Sequence, residues 1–127
     1  MDSQRRAQVD RFVVDQIDSV PHLEALLLLF NSRPKAWSAE EMARALYVRT
    51  EAAARILDGL LLRGLIAAGP ADVSYYVYAA SNADGLIADL EALYRREVVR
   101  ISSLIHSRGP ASVRDFARAF RFTKDKD

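Results

Sequence analysis

The chain contains no cysteine, which excludes disulfides, thiolate metal sites and cysteine nucleophiles. Its five glycines are scattered, so no glycine-rich loop of the phosphate-cradling kind is present. The longest apolar run, Ala25 to Phe30, is far shorter than the roughly 18 to 20 residues that a membrane span needs. No apolar stretch of signal-peptide type stands behind Met1-Asp2-Ser3-Gln4-Arg5-Arg6. Histidine is nearly absent: His22 and His106 stand apart from any ligand-spaced partner, and without cysteine a metal site lacks donors. Ser102 and His106 share a helix face at i and i+4, but no strained nucleophile turn accompanies them. Glu40 and Glu41 are adjacent and point apart, so they are no facing carboxylate pair. The expectation is a soluble, cytoplasmic protein with no enzymatic site, no metal and no cofactor.

What remains is globular composition. Half of the 127 residues are hydrophobic and 28% are charged, enough for one domain with a core of its own. The net charge is +1, spread unevenly. Residues 21–80 carry six basic and six acidic side chains, whereas residues 81–127 carry nine basic and seven acidic ones.

Ser38 followed three residues later by Glu41 is a capping box and starts a helix at Ala39. The pattern breaks after Leu46. Ala53, Ile56, Leu57, Leu60 and Leu61 then recur at helical spacing until Gly64, a favoured left-handed stop. Two helices joined by so short a turn make a helix-turn-helix. Leu65 to Ala68 and Tyr75 to Ala79 are strand-like, and Gly69-Pro70-Ala71-Asp72 between them is turn chemistry. The fold class expected is mainly α with a small β-hairpin (α+β), a winged helix-turn-helix over residues 21–80.

The spacing of Leu46, a short turn, Arg55-Ile56-Leu57-Asp58, Leu60, and then Arg63-Gly64-Leu65-Ile66 resembles the winged helix-turn-helix of MarR-like bacterial transcriptional regulators. The resemblance implies a regulator of transcription acting as a homodimer on duplex DNA. The helix Glu51 to Arg63 would then enter the major groove, presenting Arg49, Thr50, Glu51 and Arg55 to base edges. Lys35, Arg44 and Arg63 are the candidates for phosphate contact. The resemblance also leaves room for a small-molecule effector between the winged helix and the helix that follows, though no residue identifies one.

Outside that motif, residues 1–20 read as an amphipathic helix built on Val9, Phe12, Val13, Ile17 and Val20, with Pro21 ending it. In dimeric regulators of the resembled type such a helix often joins the subunit interface. Leu23 and Leu26 to Phe30 predict a central buried helix, and Lys35-Ala36-Trp37 a very short first strand in which Trp37 packs. Residues 81–108 predict one long helix. Its stripe of Ile87, Leu90, Tyr94, Val98, Ile101 and Ile105 is broader than one small domain covers, and is the expected dimer seam. Residues 109–127 read as a short basic amphipathic helix, with Arg114, Arg118 and Arg121 opposite Phe116 and Phe120, followed by a tail.

A second reading comes from charge. Phosphate neutralisation supplies most of the affinity of non-specific DNA binding. The neutral segment 21–80 and the hairpin turn, with one acidic and no basic residue, also suit a winged helix that docks a protein and does not bind DNA.

Overall fold

The computed structural model describes residues 1–108. The expected basic helix and tail at 109–127 lie outside the described residues.

Helix α1 (Ser3–Gln16) opens on Asp2, whose carboxylate accepts the Arg5 backbone N–H at 2.7 Å. It ends earlier than the expected boundary at Pro21. Ser19 instead caps α2 (Val20–Asn31), accepting from the His22 N–H, with Pro21 in the first turn where no N–H is needed. Leu23, Ala25, Leu26, Leu27, Leu29 and Phe30 of α2 are buried, which makes it the central helix. The peptide bond before Pro34 is cis.

The winged helix follows. Strand β1 (Trp37–Ser38) leads into α3 (Ala39–Leu46), whose capping box is formed in full: Ser38 N–H donates to Glu41 Oε1 at 3.0 Å and Glu41 N–H to Ser38 Oγ at 3.1 Å. Helix α4 (Thr50–Leu62) buries Ala53, Ile56, Leu57 and Leu60 and stops at Gly64, where φ is 76°. There Gly64 N–H donates to Leu61 O and Leu65 N–H to Leu60 O, the paired closure of a Schellman motif. Strands β2 (Ile66–Ala68) and β3 (Tyr75–Tyr78) form the wing, and the antiparallel sheet has the order β1-β3-β2. Trp37 pairs with Tyr76 across it and donates its indole N–H to Ser32 Oγ at 2.8 Å.

The segment expected as one long helix is two. After a short 3-10 turn at Ser81–Ala83, α5 (Asp84–Arg96) ends at Glu97, whose φ of −131° and ψ of 51° are not helical, and α6 (Val98–Arg108) begins at once. Tertiary contacts hold the bend. Arg6 of α1 grips the Glu97 carboxylate with both terminal nitrogens, at 2.6 and 2.8 Å. Arg100 holds the same carboxylate and reaches Asp10 of α1 at 3.0 and 3.2 Å. With the chain bent at Glu97, α5 and α6 both pack on α1.

That packing corrects the expected seam. Ile87, Leu90, Ile101 and Ile105 are fully buried within this one chain, in the core that also holds Val9, Val13 and Ile17. A residue already enclosed by its own chain offers nothing to a second copy. Tyr94 is half-buried, with its hydroxyl 3.3 Å from Glu24, and of the six only Val98 is exposed.

Candidate nucleic-acid interface

Helices α3 and α4 pack closely across the turn Tyr47–Arg49. The turn depends on Tyr47 adopting the left-handed conformation, φ 59°, while Val48 N–H closes onto Ala43 O. Glycine normally fills such a position because any Cβ is crowded there. The tyrosine side chain is 95% exposed beside the start of α4 and gains no packing in return.

Arg49 is the N-cap of α4 but makes no side-chain cap. Thr50, Glu51 and Arg55 are exposed on the first two turns, and Arg49, Glu51, Ala52 and Arg55 line a shallow depression of about 460 Å³. Arg49 and Glu51 approach only to 3.8 Å and both stand far into solvent, so water screens the pair and it contributes little. Among the described residues Arg55 and Arg44 are exposed and form no ion pair. The Lys35 ammonium lies 4.3 Å from the centre of the Trp37 ring.

Arg63 stands apart from this set. It donates to Asp15 O and to Asp18 Oδ1, both at 2.7 Å, and so ties the end of α4 to the last turn of α1 and the connection that follows. The residue expected at the phosphates thus also serves as a structural tie, with one acceptor in the chain for each terminal nitrogen.

Two further contacts fix α4 from behind. The exposed Asp58 carboxylate lies near the Tyr76 phenol of β3, and burial first, then this carboxylate, pushes the phenol above its ordinary range. On another side His22 faces Gly59: a Cβ at Gly59 would lie 3.0 Å from His22 Nε2. The imidazole is hydrogen-bonded to Ser19 Oγ at 2.6 Å, and burial holds its pKa below the usual histidine range.

The wing tip is acidic and apolar. Asp72 accepts from Ser74 N–H at 2.9 Å and Ser74 Oγ–H at 2.7 Å, bonds that keep its carboxyl below the ordinary range, and Val73 beside it is exposed. No lysine or arginine occurs between Gly64 and Tyr94. The Ser102 hydroxyl interacts with the Tyr94 phenol, and among the described residues no hydrogen bond joins Ser102 to His106.

Sequence reasoning found the exposed residues of α4 but missed Tyr47, whose signal would have been a helix-ending turn with no glycine or asparagine in it. It also missed the approach of Asp58 to Tyr76, for which no local pattern exists.

Comparison with solved structures places the fold. RV1404 from Mycobacterium tuberculosis superposes with a TM-score of 0.52 at 18% identity, covering 97% of this chain and 86% of that one. MepR, a transcription regulator of the Staphylococcus aureus multidrug efflux pump MepA, gives a TM-score of 0.54 at 11% identity, covering 97% of this chain and 89% of that one. The mostly helical fold with a small three-stranded antiparallel sheet is thus shared with these two structures. No protein-family model and no curated protein sequence matches the chain.

Proposed function

We propose that the chain is a DNA-binding transcriptional regulator that acts as a homodimer on duplex DNA. The observation that carries this reading is the first half of α4, where Arg49, Thr50, Glu51 and Arg55 stand exposed in a helix-turn-helix and Arg55 has no ion-pair partner among the described residues. Arginine takes guanine through two parallel hydrogen bonds, threonine and glutamate add contacts to other bases, and Ala52 suits a thymine methyl. Lys35 and Arg44 are proposed for the phosphates. Tyr47, exposed at the turn, joins the same face.

The dimer contact is proposed on the outward side of α6, where Val98 and Val99 are 48% and 75% exposed at its start. Two recognition helices in such a dimer would read half-sites about one turn of DNA apart. A protein of this function works in the cytoplasm, in keeping with described helices none of which is long and apolar enough to cross a membrane.

The test is a binding-site selection from random duplexes, followed by titration of the selected site. Arg55→Ala should weaken specific binding by about 1 to 3 kcal/mol. An unchanged affinity would remove α4 from the interface.

One observation favours a second reading, docking of a protein without DNA. The wing tip presents exposed Val73 beside Asp72 and no cation, where phosphate contact wants arginine or lysine. Failure of the selection to enrich any sequence would support it.

A further inference from the structure

A cavity of about 700 Å³ opens beside the wing, with no residue of α4 in its lining. Three separate segments wall it: the connection between α2 and β1, the hairpin, and the start of α5. Pro34, Ala36, Pro70 and Val77 with the rings of Tyr75 and Tyr78 give it a mainly apolar lining, and its volume is that of a drug-sized ligand site. None of the candidate DNA contacts lines it.

The charges at its wall are not balanced. Among the described residues of its lining, Asp72 and Asp84 face a single cation, Arg33. That guanidinium lies over the Phe30 ring at 3.9 Å and near the Tyr78 ring at 5.5 Å, and meets Asp84 only at 3.4 Å. Asp84 also accepts the Tyr78 hydroxyl at 2.6 Å. An entering anion would have to take Arg33 from Asp84 and from two aromatic rings while facing two carboxylates. An entering cation is repelled by Arg33 but meets two carboxylates and the tyrosine rings, which together outweigh that one charge.

We propose that this cavity binds a small lipophilic organic cation, its apolar body against Val77 and the tyrosine rings and its positive centre toward Asp84. Binding needs nothing from the DNA reading; only its consequence rests on that reading. A ligand touching both the hairpin and the start of α5 would hold the wing against the helix that follows it, and so couple occupancy to the DNA-binding face.

The probes are tetraphenylphosphonium and tetraphenylborate, near-identical in shape and opposite in charge, titrated calorimetrically into the whole chain without DNA. The expected result is phosphonium binding about tenfold or more tighter than borate, falling by about that factor in Asp84→Asn. Ala71→Trp, at an exposed wall position that spares the core, should block the cavity and weaken both ions. Equal affinity for the two ions, tighter binding of borate, or phosphonium binding indifferent to both variants would overturn the proposal. Because DNA is absent from the cell, failure here leaves the DNA reading standing, and failure of DNA binding leaves this result standing.

Discussion

Arg6 and Glu97, separated by 91 positions in the chain, form a two-pronged ion pair at 2.6 and 2.8 Å that joins the first helix to the bend between α5 and α6. The hydrogen bonds from Arg6 and then Arg100 hold the Glu97 carboxyl at about 2, against an ordinary value of 4.5. A carboxyl with a lowered pKa in the folded state contributes stability that is complete above its ordinary value and is lost as pH falls toward the folded one. Between about pH 4.5 and about pH 2, then, the unfolded chain takes up a proton at this position before the folded chain does. Thermal melts across that range should show a loss of stability that is shallower in Glu97→Gln. An identical slope in wild type and variant would mean that the pair does not report on folding.

The same bend makes Ile101 a core residue. Fully buried with Ile105 against α1, it has no room for a charge. Ile101→Asp should therefore lower stability by about 3 to 5 kcal/mol or prevent folding, rather than yield a folded monomer. Denaturant unfolding combined with light scattering checks this. A folded, monomeric Ile101→Asp would return the residue to the subunit interface.

Gly59 and His22 should be coupled. In a helix interior Gly→Ala ordinarily stabilises by about 1 kcal/mol. At Gly59 the new methyl would press on His22 Nε2 at 3.0 Å, and the ring is tethered to Ser19. Gly59→Ala should thus gain little or lose in the wild-type background, and recover the ordinary gain of about 1 kcal/mol when His22 is also alanine. Additive effects across the double-mutant cycle would show that His22 yields without cost.

Arg63→Ala should lower stability by about 0.5 to 1.5 kcal/mol through loss of its bonds to Asp15 O and Asp18, with DNA affinity of the folded protein unchanged. A loss of affinity with unchanged stability would restore Arg63 to the phosphates.

What could be read from the sequence was local. The Ser38 and Glu41 box and the Gly64 stop act within a turn of their own positions, so the helix-turn-helix was legible at both ends. The break at Glu97 was not, because no glycine or proline marks it and the residue that grips it, Arg6, lies 91 positions away. The stripe Ile87 to Ile105 reads the same whether its cover is α1 or a second subunit, since periodicity reports burial and not the chain that provides it. Arg63 looked free for the same reason that Arg55 does: a charge in a sequence does not display its partner. The cavity beside the wing, walled by three segments, leaves no mark on any one of them.

The most direct test of the central claim is fluorescence anisotropy of the purified chain on random-sequence duplex DNA at roughly 50 and 200 mM salt, since phosphate neutralisation makes affinity fall steeply between them. The expected result is binding at the lower salt that weakens by about tenfold or more at the higher, as for a protein neutralising several phosphates. No binding at the lower salt, by protein shown to be folded, would contradict the claim and leave the winged helix as a module that docks protein.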